Sequence, residues 1–365
     1  MYTAESIASL FPDGTHILPD PQAPVRHVCI DSRKAAWQPQ AIFLALQGAR
    51  ADGHRYIQDA WNQGVRNFLV QEQIDLTQLP EGNFIRVPNV LEAFHVLAAH
   101  HRDNYTGKVV AIIGSNGKTW VKEWLYMLMY RDLSVYRSPG SYNSQVGVPL
   151  SVWNIPLETS YAIIEAGISS PGEMIKLQKI IRPDIVVFTH FGDAHDEGFG
   201  GDIHAKLSEK LIMCAEATSI VLPHDQPLVY DTMHTMFPDK FQFTWSMHGL
   251  GLINGSAEKK GDVSQVTVQL EDKEFKYNLP FTGIVPVSNS LVCLTTFVAL
   301  GIPIESRLKG FEDLQPIDMR LKAEDGIQGC VLINDSYSLD LDSLQYALES
   351  LDIAGQTQQK TLVLS

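Results

Sequence analysis

Short apolar runs rich in β-branched residues recur along the chain and alternate with segments of helical periodicity. In the central part the clearest runs are 109–113, 161–164, 184–189 and 220–223. Runs of this length and composition predict strands buried on both faces, as in a parallel sheet whose strands alternate with helices. The pattern therefore predicts an α/β fold with a mostly parallel central sheet.

The first part of the chain repeats this alternation on a smaller scale and predicts a separate, small α/β domain. The predicted strands are 28–30, 41–46 and 68–70, and the predicted helices are 56–64 and 91–102. A polar linker follows the second helix. We therefore assign residues 1–104 to an N-terminal domain and residues 105–315 to a central domain.

The later part of the chain predicts a hairpin, a helix and the start of a third domain. Alternating positions over 263–270 predict a half-exposed strand paired with 275–279, and Asn289–Leu300 predicts a helix that ends before Gly301. From residue 316 the predicted elements are a strand over 331–333, a helix over 346–351 and a strand over 360–364. A nucleotide-binding-like domain needs on the order of 100 residues. We therefore expect 316–365 to be a truncated domain in the N-terminal part of a longer polypeptide.

Composition narrows the function classes. The chain has 365 residues, 45% of them hydrophobic, and a formal net charge of -14, which argues against sequence-independent nucleic-acid binding. Four scattered cysteines without a Cys-x-x-Cys pair fit a reducing cytoplasm. Neither a signal peptide nor a membrane span is predicted, since the longest apolar stretch, 291–304, is too short and contains glycine and proline.

A glycine-rich turn follows the apolar run 109–113 and precedes the helical pattern 120–130. It reads Gly-Ser-Asn-Gly-Lys-Thr over 114–119. Glycines let backbone amides approach an anion, Lys118 offers a point charge to outer phosphates, and the Thr119 hydroxyl can ligate magnesium. Strand, turn and helix in this order predict a phosphate-binding loop, although Ile112 stands where the commoner form of the motif has a glycine. The alternative is an ordinary glycine-rich turn before a helix.

Polar side chains follow two other central strands. Glu165 ends the run 161–164, and His195 comes shortly after the run 184–189. Ligands of open α/β sheets bind beyond the carboxyl ends of the strands, and a carboxylate oxygen suits a hard cation. Both residues are candidate metal ligands, against the alternatives of a solvated glutamate and a structural histidine.

These motifs together resemble the Mur ligases and their folylpolyglutamate synthase relatives. The most specific pieces are Gly-Ser-Asn-Gly-Lys-Thr at 114–119, Gly-x-Ala-His at 192–195 and Asn-Asp-Ser-Tyr at 334–337, and the order of Asp-Ser-Arg at 31–33, strand and Gly48 resembles the N-terminal domain of MurE and MurF ligases. The third piece favours a MurF-like member. Departures from the family pattern include Trp120 after the loop and His190 after its strand.

The resemblance implies an activity and its participants. A MurF-like ligase uses ATP and Mg²⁺ to join D-alanyl-D-alanine to a UDP-N-acetylmuramoyl-tripeptide through an acyl phosphate, in cytoplasmic peptidoglycan synthesis. Neither nucleic acid nor membrane insertion is involved. In some bacteria such ligases are fused to an alanine racemase, and such a module after residue 365 would fit the expected truncation.

The resemblance also implies roles for individual residues. The implied nucleotide contacts are Gly114, Ser115, Asn116, Gly117, Lys118, Thr119, Asn289, Arg320 and Asp335. The implied metal ligands are Thr119, Glu165 and His195, the implied catalytic residues are Lys118, His195 and a carbamylated Lys210, and the implied substrate contacts are Ser32, Arg33 and Asn143.

Several alternatives stay open at this stage. Lys206 competes with Lys210 for the carbamylated position, and both could be ordinary exposed helix lysines. Arg33 could simply pair with Asp31 on the surface, and the stretch around Asn143 could be a capped loop. For the whole chain, the alternatives are a sibling ligase, a non-catalytic nucleotide-binding module and an unrelated P-loop NTPase.

Overall fold

Most of the apolar runs form the strands of a five-stranded and a nine-stranded sheet, one in each of two units of the chain, and two further sheets have two strands each. A computed structural model describes residues 2–48, 51–75, 77, 79–194, 196–320, 322–327, 330–337, 341–354 and 360–363. One unit comprises Met1–Thr106 and Gln145–Leu157, and the other comprises Gly107–Ser144 and Glu158–Ser365. The N-terminal unit is therefore discontinuous in sequence.

Strands and helices alternate along most of the described chain. The strands are β1 (Tyr2–Thr3), β2 (Thr15–Ile17), β3 (Pro24–Val25), β4 (His27–Cys29), β5 (Ala41–Leu44), β6 (Asn67–Val70), β7 (Asn83–Arg86), β8 (Lys108–Ile113), β9 (Val135–Arg137), β10 (Tyr161–Glu165), β11 (Ile185–Phe188), β12 (Ser219–Pro223), β13 (Phe241–Ser246), β14 (Ile253–Lys260), β15 (Val263–Leu270), β16 (Lys273–Leu279), β17 (Lys322–Asp325) and β18 (Val331–Asn334). The helices are α1 (Ala4–Ala8), α2 (Ile57–Asn62), α3 (Val90–Asp103), α4 (Lys118–Met129), α5 (Gly147–Trp153), α6 (Glu173–Ile181), α7 (Ile203–Leu211), α8 (Pro227–Met236), α9 (Ile284–Leu300) and α10 (Leu341–Ala354).

The N-terminal unit is built on a five-stranded sheet in the order β2-β7-β6-β5-β4, parallel except for β2. Successive side chains of a strand point to opposite faces, so β5 supplies both cores of this unit. Ile42 and Leu44 pack with Phe94 of α3 and with Trp153 of α5. Phe43 belongs to the core on the other face. Helix α5 thus completes a core whose strands precede it by about 100 residues of sequence.

The second unit contains a nine-stranded sheet in the order β16-β15-β14-β13-β12-β11-β8-β10-β9. Its strands from β9 to β14 pair in parallel, and β14, β15 and β16 pair antiparallel. This confirms the predicted α/β class and the mostly parallel central sheet. Strand β8 lies between β10 and β11, so the carboxyl ends of these three strands meet at one point of the sheet edge.

Three predicted elements differ clearly from those observed. Helix α10 spans Leu341–Ala354 and so extends beyond the predicted 346–351 at both ends. Helix α9 begins at Ile284 rather than Asn289, because Pro286 falls in the first turn, where the missing N–H has no helical acceptor in any case. Residues 360–363, the described part of the strand predicted over 360–364, form no strand, since no described neighbour pairs with them. Among the described residues, no helix has the length and apolarity needed to cross a bilayer.

Candidate active site

The glycine-rich turn connects the carboxyl end of β8 to the amino end of α4. Gly114 and Gly117 have φ angles of 134° and 83°, in the left-handed region that favours glycine. A side chain at Gly114 would overlap the Thr189 hydroxyl, and a Cβ atom at Gly117 would lie 2.8 Å from Asn289 Oδ1. The backbone path of the turn therefore requires both glycines.

The segment after β11 holds this turn in place. Thr189 Oγ1 donates to the carbonyl oxygen of Asn116 at 2.6 Å and lies 3.1 Å from that of Ile113. The Ser115 amide donates to the His190 carbonyl oxygen at 2.6 Å, and its hydroxyl donates to that of Gly192 at 3.0 Å. The turn is thus already shaped before any ligand binds, which lowers the entropic cost of binding.

Lys118 lies directly over the turn. Its Nζ donates to the carbonyl oxygens of Gly114 at 3.1 Å and Ser115 at 2.7 Å. Both acceptors are neutral, so an anion seated on the turn would be the stronger partner for this ammonium group.

Glu165 lies at the carboxyl end of β10 and is 1% exposed. Its Oε2 accepts from Thr119 Oγ1 at 3.0 Å, and its Oε1 accepts from Asn143 Nδ2 at 2.7 Å. Thr119 Oγ1 also lies 3.2 Å from Ser141 Oγ. Two hydroxyl oxygens and a carboxylate therefore converge beside the turn, and such hard oxygens are the ligands that magnesium prefers.

Two buried lysines of α7 point to the same region. Lys210 Nζ donates to the Gly114 carbonyl oxygen at 3.2 Å, and Lys206 Nζ donates to that of Gly192 at 2.6 Å. Their exposed fractions are 2% and 1%. The alternative that these are ordinary exposed helix lysines is therefore wrong for both.

The remaining predicted nucleotide contacts lie at different distances from the turn. Asn289 is buried, with its Oδ1 towards Gly117 and its Nδ2 without a hydrogen-bond partner among the described residues. The Arg320 guanidinium stacks 3.9 Å from the ring centroid of Tyr337, and both side chains reach the cavity beside the turn. Asp335 follows β18 directly and does not line that cavity.

This cavity has a volume of about 90 Å³ and brings most of the predicted residues together. Its lining residues are Ser115, Asn116, Gly117, Lys118, Thr119, Trp120, Asn143, Glu165, Ala194, Arg320 and Tyr337. It is a polar cradle at the point where the strand order reverses.

Comparison with known proteins identifies the fold around this site. Residues 112–297, slightly more than half of the chain, match the Mur ligase middle domain, and residues 24–102 match the Mur ligase family catalytic domain. The chain belongs to the Mur ligase family. This confirms the family resemblance drawn from the motifs.

Individual relatives of this Mur ligase share the MurF name. The UDP-N-acetylmuramoyl-tripeptide–D-alanyl-D-alanine ligase of Bacillus subtilis (strain 168) is 28% identical over 99% of this chain and 78% of the relative. A crystal structure of MurF from Acinetobacter baumannii has a TM-score of 0.86 and 24% identity over 96% of this chain and 76% of that one. The MurF ligase of Thermotoga maritima in complex with ADP has a TM-score of 0.77 and 23% identity over 90% and 74%. The chain is thus a MurF-like Mur ligase.

The residues of this Mur ligase fit a nucleotide and a divalent cation. The turn whose glycines exclude side chains suits a phosphate group, and the unpartnered Asn289 Nδ2 is a buried donor that a ligand acceptor would satisfy. The Thr119 hydroxyl and the Glu165 carboxylate form an all-oxygen donor set. His195 lies outside the described residues, so its predicted place beside them stays a prediction.

Ser32 and Arg33 lie in the N-terminal unit, at the start of a 3₁₀ turn over Ser32–Trp37. Ser32 is buried, whereas the Arg33 side chain is exposed and paired with Asp31 at 2.9 and 2.8 Å. The hydrogen bond from Arg33 holds the pKa of Asp31 below its usual value. This pairing orients the Arg33 guanidinium at the strand end and occupies two of its nitrogen donors, and its role in substrate binding stays a prediction.

Sequence reasoning missed Lys122, a fully buried lysine whose Nζ lies 3.8 Å from Glu165 Oε2. The sequence did contain a signal for it: Lys122 follows Lys118 by four residues, and residues i and i+4 lie on the same face of a helix.

A second group of side chains, Asp52, His54 and Glu72, has the spacing of a metal site. However, His54 Nε2 already accepts from the amides of Gln71 and Glu72, which explains this group as a structural clamp.

Replacing Gly117 by alanine should weaken nucleotide binding by roughly tenfold or more and cost about 1–2 kcal/mol of folding stability. The new Cβ would strain the left-handed backbone and press on Asn289. Calorimetric titration with a non-hydrolysable ATP analogue and thermal unfolding measure the two effects. Gly301→Ala is the matched control, since Gly301 has φ 72° with open space around it. Equal loss of nucleotide affinity in both variants would contradict this prediction.

Proposed function

We propose that this protein joins D-alanyl-D-alanine to UDP-N-acetylmuramoyl-tripeptide at the expense of ATP in peptidoglycan synthesis. The observation that carries the proposal is the buried Glu165, linked through Thr119 to the phosphate-binding turn. It occurs in a chain that aligns over 99% of its length with the Bacillus subtilis ligase of that name. A ligase of this kind needs a phosphate cradle and a cation site side by side, because charge builds up on the transferred phosphoryl group.

The proposed reaction has two chemical steps. A carboxylate oxygen of the tripeptide attacks the γ-phosphorus of ATP, the bond to ADP breaks, and an acyl phosphate forms. The amine of the dipeptide then attacks the acyl carbon, and the tetrahedral intermediate expels inorganic phosphate as the amine loses a proton. Neither step requires a protein nucleophile, so the protein acts by positioning and by charge stabilisation.

Four side chains in or beside the turn have defined roles in this proposal. Lys118 leaves the carbonyl oxygens of the turn and binds the transferred phosphoryl group. Thr119 and Glu165 hold a magnesium ion, which when bound neutralises phosphate charge. Asn143 positions Glu165 through its 2.7 Å hydrogen bond.

Lys210 is the better of the two α7 lysines for the carbamylated position. Its Nζ contacts the first carbonyl of the phosphate-binding turn, whereas Lys206 reaches the segment after β11. A carbamate on Lys210 would place an anion beside the turn. This would help order the cations and the acyl phosphate.

The remaining predicted site residues bind other parts of the UDP-linked substrate and of ATP. Ser32 and Arg33 of the N-terminal unit bind the UDP diphosphate, for which a planar guanidinium is well suited. Asn289 binds the adenine side of ATP, Arg320 also contacts the nucleotide, and Asp335 contacts the ribose or the metal side. The cytoplasm is the proposed compartment, in keeping with four cysteines that are all free thiols.

Phosphate release from Mg²⁺–ATP tests the proposal directly. We expect rapid release only when UDP-N-acetylmuramoyl-tripeptide and D-alanyl-D-alanine are both present, because the acyl phosphate turns over only when the amine accepts it. Each substrate alone is the control. Turnover with a single amino acid in place of the dipeptide would indicate a sibling ligase, and release without acceptor would indicate a general NTPase. Nucleotide binding without any release would indicate a binding module.

A further inference from the structure

Lys122 is a buried cation next to the candidate metal ligand. It follows Lys118 by one turn of α4, and its side chain is 0% exposed. Its Nζ donates to the Gly140 carbonyl oxygen and lies 3.2 Å from Glu123 Oε1 and 3.8 Å from Glu165 Oε2. The ammonium group therefore lies between two carboxylates and has a backbone acceptor as well.

Lys122 is one of four charged side chains that are paired in a row among the described residues. Glu123 Oε2 accepts from Arg137 Nε at 2.6 Å, and the Arg137 guanidinium lies 3.8 Å from the ring centroid of Tyr126. Two cations, Lys122 and Arg137, thus balance two anions, Glu123 and Glu165. Glu165 is consequently at the buried end of a cluster whose four charges sum to zero, unlike a carboxylate that faces solvent with its charge unopposed.

A neutral cluster is a poor trap for a free divalent cation. A cation that binds Glu165 must approach a fixed positive charge, and in a buried site this repulsion is only weakly screened. The phosphates of a bound nucleotide bring several negative charges to the adjacent turn. They would supply the attraction that the protein side chains alone do not provide.

We propose that Lys122 is the resident counter-ion that makes metal capture at Glu165 depend on bound nucleotide. The proposal rests on the metal role given to Glu165 and Thr119 in the proposed function, and it adds control over when the metal binds. Because α4 begins at Lys118, one helix supplies the phosphate lysine, the Thr119 ligand and this counter-ion. The metal and the nucleotide would then enter as a unit.

A purely structural role for Lys122 makes a different prediction. Glu123 lies closer to Lys122 Nζ than Glu165 does, so the lysine could serve only to neutralise Glu123. In that case, removing the lysine charge would alter stability and leave the cation affinity of Glu165 unchanged. Binding of the ion itself therefore separates the two roles, and activity alone would not.

The test measures Mn²⁺ binding by electron paramagnetic resonance of the free ion, with and without a non-hydrolysable ATP analogue. In the wild-type protein we expect tight binding only with the analogue. Lys122→Met should tighten Mn²⁺ binding in the absence of nucleotide by about tenfold or more, because one opposing charge is lost. Lys122→Arg, which keeps the charge, should bind Mn²⁺ as weakly as the wild type.

The double variant Lys122→Met with Glu165→Gln tests whether the tighter Mn²⁺ binding of Lys122→Met occurs at Glu165. It should lose the extra Mn²⁺ affinity, whereas Lys176→Met on the exposed surface of α6 should have no effect. If Lys122→Met does not fold, Lys122→Gln keeps a donor for the Gly140 carbonyl and serves the same purpose. An unchanged nucleotide-free affinity in the neutral variants overturns the proposal. Wild-type Mn²⁺ binding at Glu165 that is equally tight without the analogue also overturns it.

The Mn²⁺-binding test and the phosphate-release assay can fail independently of each other. A Mn²⁺ gain in Lys122→Met without acceptor-dependent phosphate release would retain the counter-ion role and reject the ligase reaction. Phosphate release that needs both acceptors, together with an unchanged Mn²⁺ affinity, would retain the ligase and reject the counter-ion.

Discussion

Lys118→Ala should lower kcat for acceptor-dependent phosphate release roughly a thousandfold, because a positioned cation is lost where charge develops on the phosphoryl group. The fold should survive, since Lys118 is only half-buried and donates to neutral carbonyl oxygens of the turn, so its loss strands no buried charge. Steady-state phosphate release with both acceptors measures the loss, and thermal unfolding should show a change within about 1 kcal/mol.

Two further variants sharpen this test. Lys179→Ala removes an exposed lysine of α6 and should retain full activity. Lys118→Arg keeps the charge but not the shape, and it should recover only part of the rate because the two cations differ in geometry. Near-normal activity of Lys118→Ala would show that the phosphate-binding turn is not the reaction site.

Glu165→Gln should lower kcat about a hundredfold and shift the activity to higher magnesium concentrations, since a neutral amide is a weaker ligand for a hard cation. The side chain keeps its shape, so Asn143 can still donate to the amide oxygen and Thr119 can accept from the amide nitrogen. Titration of the rate with Mg²⁺ measures the effect.

The same substitution should also destabilise the protein. Lys122 would keep Glu123 but lose its second carboxylate, at a cost of roughly 1–3 kcal/mol in the free energy of unfolding. Glu258→Gln, at a largely exposed position on β14, is the matched control and should change neither quantity. A Glu165→Gln protein with an unaltered magnesium dependence would remove Glu165 from the metal site.

The sequence was most informative where local pattern and chemistry coincide. The turn at 114–119 was predicted because its strand, glycines and helix are contiguous, and the end of β10 at Glu165 was predicted because a β-branched run stops there. The structure places Glu165 within 3.0 Å of Thr119, as expected for neighbouring parallel strands whose carboxyl ends meet. The roles of these residues in catalysis remain predictions.

Other features depend on distant parts of the chain. The burial of Lys122 was not predicted, because lysine at a helix surface is ordinarily solvated and only β10 and the loop around Gly140 turn this position into an interior one. The sequence also did not predict that α5 belongs to the N-terminal unit, again because this depends on contacts between residues far apart in sequence. It depends on Trp153 packing against Tyr2 with 4.8 Å between ring centroids, across about 150 residues of sequence.

The discontinuity of the N-terminal unit has a consequence for synthesis on the ribosome. Its sheet strands and α3 are made by residue 106, but the helix that carries Trp153 belongs to 145–157 and is made after 107–144 of the other unit. At about 5–20 residues per second, the first core remains incomplete for several seconds after its strands have emerged. The nascent chain therefore exposes the part of this core that Trp153 will cover during that interval, which makes it a binding target for chaperones that shield unfinished cores.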